Sequence, residues 1–145
     1  MINSRKLEDL HPTVQAKAKA FLAACTKEGI DLLVTSTYRD HESQDALYAM
    51  GRTAPGSIVT NAKGGESFHN YRVALDVVPI INGKPVWNDS AMWGRIGALG
   101  EASGLEWAGK WQKFREQPHF QYTGGLTLSD FKAGKTLGKQ ETKVS

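Results

Sequence analysis

Residues 73–87 constrain the fold of this chain more than any other stretch. Val73, Leu75 and Val77 alternate with Ala74, Asp76 and Val78, the period of two that sends successive side chains to opposite faces of a strand. Asn82-Gly83 then offers the tight turn that joins antiparallel strands, and Lys-Pro-Val-Trp runs back from it. An isolated hairpin is at best marginal in water, so the remaining chain has to supply further strands and a cover for the apolar face. Phe120 and Tyr122 alternate with His119 and Gln121, which reads as one more short strand with His119 and Gln121 on a shared face. Residues 30–38, IDLLVTSTY, are rich in β-branched side chains and read as a buried strand.

The cover is helical. His11-Pro12 precedes Val14, Ala18, Phe21, Leu22 and Cys25 at helical spacing, with Pro12 suited to the first position and Gly29 to the stop. Asp40 can cap a short helix running to Gly51, and Asn88, Asp89 or Ser90 can cap another through Trp93, Ile96 and Leu99 to Gly104. Residues 51–66 are loaded with Gly, Pro, Thr and Asn and lack a sustained period, which predicts a long surface loop. The fold class is therefore α+β, an antiparallel sheet with flanking helices. At 145 residues one domain is expected, over residues 1–134, followed by a mobile basic tail over residues 135–145 that has almost no apolar side chains.

Composition excludes more than it assigns. No run approaches the roughly 20 apolar residues of a membrane-spanning helix, and the start, MINSRKLEDLHP, lacks the apolar core of a signal peptide, so a cytoplasmic protein without membrane insertion is expected. The net charge of +3 is too small to argue for a nucleic-acid partner, and Gly64-Gly65 lacks the Lys-Ser/Thr of a phosphate-binding loop. The single Cys25 cannot form an internal disulfide and reads as a small buried hydrophobe. Core packing is the expectation for Trp87, Trp93, Trp107 and Trp111, with at most Trp107 or Trp111 reaching a substrate.

Of the four histidines, His11 and His41 fall at helix starts as capping or solvated groups, which leaves His69 and His119. The run S-F-H-N-Y-R-V-A-L-D carries His69 and Asp76, and E-Q-P-H places Glu116 three residues before His119. Two imidazoles and a carboxylate are three suitable ligands for Zn²⁺ with a position left open for water. On spacing alone, a hydrogen-bonded core His and a solvated Asp fit these residues as well. Seven extended residues would span roughly 23 Å, so a shared metal requires the chain to bend between His69 and Asp76, and Asn70-Tyr71 is the expected place. Pro118 separates Glu116 from His119, so any base here stands on a loop, unlike the single helix of H-E-x-x-H.

SFHNYRVALD resembles the S-x-H-x-x-G-x-A-x-D motif of the zinc peptidases that include D-alanyl-D-alanine dipeptidases, carboxypeptidases and phage L-alanyl-D-glutamate endopeptidases. EQPHF is similar to their second motif, and residues 36–62 resemble the upstream region of the endolysin branch. The likeness spans about residues 10–134 in the expected order. It implies a hedgehog/DD-peptidase-like single domain, one Zn²⁺ per chain on His69, Asp76 and His119, and Glu116 as general base. It further implies that Arg39, Gln44 and Ser67 line the substrate site, with Arg39 also assisting catalysis. Arg39, a fixed forked cation, suits a substrate carboxylate or a developing oxyanion.

The function so implied is an endolysin that hydrolyses the L-alanyl-D-glutamate bond of peptidoglycan stem peptides. A D-alanyl-D-alanine carboxypeptidase and a non-catalytic zinc-containing peptidoglycan-binding module are the alternatives. The expected partner is the stem peptide, the expected state a monomer in the host cytoplasm, and a holin-type protein would open the way to the wall. Arg72 stands where the family motif has Gly. A long side chain is disfavoured at positive φ, so an ordinary backbone with the guanidinium near the cleft rim is expected there.

Overall fold

The computed structural model describes residues 1–138; residues 139–145, most of the expected tail, lie outside the described residues. Helix α1 (Pro12–Lys27) starts where His11 Nδ1 accepts the backbone N–H of Thr13, and Gly29 follows its end at φ 77°. Strand β1 (Leu32–Ser36) leads to α2 (His41–Ala49), whose cap is Asp40, accepting from Ser43 N at 2.8 Å. Strands β2 (Ala74–Ile81) and β3 (Lys84–Pro85) form the expected hairpin, turning at Asn82 (φ 53°) and Gly83 (φ 77°). Asp89 caps α3 (Ser90–Ala102), and β5 (His119–Gln121) is the expected last strand. Strand β4 (Glu106–Trp107) and helix α4 (Leu128–Lys132) were not read from the sequence, both being too short to show a period.

The strand order is β1-β2-β5-β4, all antiparallel, with β3 paired to β2. Register does the decisive positioning: Leu75 lies opposite Phe120, and Asp76 lies opposite both His119 and Ser36. Directly opposed residues share a face. Leu75 and Phe120 therefore point together into the core, where the Phe120 ring meets Phe21 of α1 at 4.6 Å between centroids. Asp76 and His119 share the other face. Helix α3 comes in close because Gly97 and Gly100 lie one turn apart, and a Cβ at either would collide with the Trp107 or Phe120 ring.

Three expectations need correction. Strand β1 is an edge strand, with Leu33 42% exposed, so it is not buried on both faces. Leu137, inside the expected tail, is buried in the core cluster, because the turn after α4 leads the chain back onto it. Trp93 is fully buried as expected, whereas Trp87 is 47% exposed and serves the fold through its carbonyl, which accepts from Trp93 Nε1 at 2.8 Å. Cys25 is buried, and that burial pushes its thiol up to about 11, in keeping with an inert small hydrophobe.

Candidate metal centre and active site

The expected bend between His69 and Asp76 is a 3-10 turn, Phe68–Tyr71. Ser67 opens it, its Oγ accepting the N–H of His69 at 3.2 Å, while Asn70 Oδ1 accepts the N–H of Ser67 at 3.1 Å. Arg72 closes it at φ 66°, ψ 27°. This overturns the expectation of an ordinary backbone: a left-handed residue is what swings the chain from the turn into β2. The arginine is held by other means than a glycine would need. Its Nη1 donates to the Asp9 carbonyl at 2.8 Å, and its guanidinium lies 3.8 Å over the Tyr38 ring. The side chain therefore points toward Tyr38 and Asp9, and it is not among the residues that line the cleft.

The turn returns His69 to β2, and β5 delivers His119 opposite Asp76. His69 Nε2 lies 3.3 Å and His119 Nδ1 3.2 Å from the same Asp76 Oδ1, and the three candidate ligand atoms are all within 4.8 Å of one another. Both histidines are buried. The far nitrogen of each ring faces an acceptor: His69 Nδ1 lies 2.8 Å from the Thr37 carbonyl, and His119 Nε2 lies 2.8 Å from Gln121 Oε1. A carbonyl only accepts, so these far nitrogens carry the protons and the near ones turn lone pairs toward Asp76. Without a cation between them, that arrangement would be repulsive unless each ring took a second proton. A tetrahedral Zn²⁺ with bonds of about 2.0–2.1 Å separates its ligands by about 3.3 Å, close to the spacing of Asp76 from both rings. The residues present fit the metal.

In the metal-free site, where each ring has to turn an N–H instead of a lone pair toward Asp76, burial works against ionisation of Asp76, but the attraction of His69 and the hydrogen bonds of both rings outweigh it and hold its carboxyl far below the usual range. For His119, burial favours the neutral ring, and the hydrogen bond and charge of Asp76, with smaller help from Gln121 and Glu116, raise its pKa.

Glu116 stands on the loop before β5, with Oε1 3.8 Å from His119 Nδ1 and a side chain 60% exposed. It lines two cavities. One, of about 360 Å³, is lined by Arg39, Ser67, His69, Asp76, Trp111 and His119 among others. The other, of about 480 Å³, is lined by Asp76, Arg115, Glu116, Gln117, Pro118 and His119. Asp76, Glu116 and His119 line both, so both cavities adjoin the candidate metal centre.

Arg39 lies in the wall of the first cavity, its Nη1 donating to Gln44 Oε1 at 2.7 Å and its Nη2 to Ser36 Oγ at 2.9 Å, while Nε is buried without a protein partner. Burial lowers the guanidinium's pKa, opposed by the charges of Asp76 and Glu116. Ser67 lines the cavity as expected. Gln44 does not: it is fully buried beneath Arg39, its Nε2 donating to the Ala62 carbonyl at 2.8 Å and, more weakly, to Thr60 Oγ1 at 3.4 Å. It ties the 51–66 loop to Arg39. Trp111 is the tryptophan that reaches the cleft, whereas Trp107 stacks on Phe120 and donates to the Gln117 carbonyl at 2.9 Å. Thr37, Phe114 and Val59 were not foreseen; the first acts through its backbone, and the other two lie on loops where no periodicity marks a face.

A family model described as D-alanyl-D-alanine carboxypeptidase matches residues 60–122. The chain is 38% identical over 122 residues to the peptidoglycan L-alanyl-D-glutamate endopeptidase CwlK of Bacillus subtilis (strain 168), an alignment covering 78% of this chain and 73% of that protein. Among solved structures, the L-Ala D-Glu endopeptidase ChiX of Serratia marcescens has a TM-score of 0.62 at 21% identity, covering 87% of this chain and 86% of its own. A mutant of the vancomycin-resistance D,D-pentapeptidase VanY in complex with Zn(II) has a TM-score of 0.60 at 15% identity, covering 86% and 78%. These two share the fold, hedgehog/DD-peptidase-like as its motifs implied. By its identity to CwlK over most of that protein's length, the chain belongs to the D-alanyl-D-alanine carboxypeptidase family of peptidases.

Proposed function

We propose that this protein is a zinc-dependent peptidase that hydrolyses the L-alanyl-D-glutamate bond of peptidoglycan stem peptides. The observation that carries the reading is the convergence of His69, Asp76 and His119 on one point, with Glu116 beside it in an open cleft. His69, Asp76 and His119 would hold one Zn²⁺. When bound, zinc polarises a carbonyl and makes water nucleophilic near neutral pH.

The chain's own residues do the remaining work. Glu116, exposed on the cleft and free to accept, takes a proton from the attacking water and returns it to the leaving amine, a role worth about 10²–10⁴-fold in rate. Arg39 presents a fixed cation to a substrate carboxylate, held in place by Gln44 and Ser36, with Ser67 in the same wall. Trp111 gives the cleft an apolar wall. The second cavity at Glu116 offers room for more than one residue beyond the scissile bond, which favours an endopeptidase, because a carboxypeptidase needs room for only one. The names of CwlK and ChiX support the same bond. A lytic role after release from a host cell, and the need for a holin-type partner, belong to this proposal and rest on the endolysin-like 36–62 segment.

The alternatives differ in their products. Purified muropeptides incubated with the zinc-loaded protein and analysed by mass spectrometry are expected to yield fragments with a new N-terminal D-glutamate and no free D-alanine. Free D-alanine as the main product would replace this reading with the carboxypeptidase. Binding without hydrolysis would replace it with the binding module, a reading that Glu116 argues against, since a binder has no use for a base beside an open metal position.

A further inference from the structure

His119 is held from behind by a chain of hydrogen bonds that leaves the active site and ends on β4. Its Nε2 lies 2.8 Å from Gln121 Oε1, Gln121 Nε2 donates to Glu106 Oε1 at 3.3 Å, and Glu106 Oε2 accepts from the N–H and hydroxyl of Thr123, both at 3.4 Å. Gln121 is buried, so its amide has few other partners. An amide is symmetric enough to turn either end toward His119, and only its surroundings decide which. A carboxylate accepts and never donates. Glu106 therefore draws the NH₂ of Gln121 toward itself and leaves the amide oxygen for the ring.

We infer that Glu106 is a positioning residue that, through Gln121, fixes which nitrogen of His119 is offered to the metal. With the amide oxygen facing Nε2, that nitrogen keeps its proton and Nδ1 presents its lone pair beside Asp76. Without Glu106 the amide is free to reverse. Its NH₂ then donates to Nε2, the proton moves to Nδ1, and a proton faces the place where the metal would sit. Sequence and register explain the construction. Gln121 follows His119 by two residues and so shares its face, and β4–β5 pairing sets Glu106 directly opposite Gln121. His69 needs no such device, because its Nδ1 faces the Thr37 carbonyl, which cannot be reversed.

The inference rests on the metal reading above, and the test separates the two. The Zn²⁺ affinity of the full chain is measured by competition with a chelator, alongside thermal unfolding of the zinc-loaded protein. The bonding state of both His119 ring nitrogens is read by long-range ¹H–¹⁵N correlation. Glu106→Leu is expected to weaken zinc binding about tenfold and Gln121→Leu about 10–100-fold, the usual range for losing a partner behind a metal ligand. Glu106→Asp, which keeps an acceptor-only carboxylate, is expected to lose less affinity than Glu106→Leu, whereas Glu106→Gln, whose amide can turn its NH₂ toward Gln121, is expected to fall between wild type and Glu106→Leu. In wild type the His119 proton is expected on Nε2, and in Glu106→Leu it is lost from that position in part of the population. A purely structural role for Glu106 would lower the unfolding temperature while leaving zinc affinity and the ring pattern unchanged, and that result overturns the inference. Wild-type protein that binds no zinc overturns the metal reading itself. Wild-type binding with unaltered affinity in Glu106→Leu overturns only the relay.

Discussion

Gln44→Leu tests whether Gln44 touches substrate or only supports Arg39. The side chain is fully buried and makes two short hydrogen bonds, from Arg39 Nη1 at 2.7 Å and to the Ala62 carbonyl at 2.8 Å. Leucine fills nearly the same volume, so the loss is polar and leaves little cavity. Removing the acceptor of a buried guanidinium costs about 1.5–3 kcal/mol, and the abandoned carbonyl adds about 1 kcal/mol. Arg39 would keep only Ser36 as a partner, since its Nε already has none. A total of about 2.5–4 kcal/mol lowers the unfolding temperature of a domain this size by about 5–16 °C. Zinc content is expected to remain that of wild type, because Gln44 reaches none of the three candidate ligands, and KM is expected to rise as Arg39 and the 51–66 loop loosen. Unfolding followed by circular dichroism, metal analysis and steady-state kinetics on a defined muropeptide cover the three readouts. Unchanged stability together with a collapse of kcat would refute the reasoning and return Gln44 to the substrate surface.

Glu116→Gln is expected to keep fold and zinc and to lose about 10²–10⁴-fold in hydrolysis, because the amide cannot accept the water proton; near-normal turnover would remove Glu116 from the mechanism. In the metal-free protein the depressed Asp76 pKa adds stability that is full above its unfolded value of about 3.9 and lost as pH falls through its folded value. The raised His119 pKa adds stability that is full below about 6.5 and lost as pH rises through its folded value. Urea melts of the chelated protein should therefore show these contributions together between about pH 4 and 6.5, and Asp76→Asn should flatten both flanks. Arg72→Gly and Arg72→Ala lose the same contacts to Asp9 and Tyr38, but only glycine relieves the positive φ, so the alanine variant is expected to be less stable by about 1 kcal/mol. Equal stability would refute strain at Arg72, and a KM that rises only at low salt would return its guanidinium to the cleft rim.

What could be read along the chain was whatever one element decides by itself. Helix α1 follows from the spacing of Val14, Ala18, Phe21 and Cys25 behind His11-Pro12, and the β2–β3 hairpin from alternation and Asn82-Gly83. The candidate metal ligands were legible because their residue types are scarce, their chemistry narrow, and their motif resembles a known one. The conformation of Arg72 was not legible, since cation–π stacking on Tyr38 and a bond to Asp9 come from segments 34 and 63 positions away and hold a backbone that local propensity disfavours. Gln44 was assigned to the substrate wall because a motif gives the residue and not its depth; burial depends on the 51–66 loop folding over it. The pairing of β4 with β5 likewise appears only in the assembled sheet, because a two-residue strand carries no period. With that pairing comes the Glu106–Gln121–His119 chain. Sequence determined which groups could bind a metal and move a proton. Tertiary structure decided which atom of each faces the site, because hydrogen-bond direction is set by neighbours brought in from elsewhere in the chain.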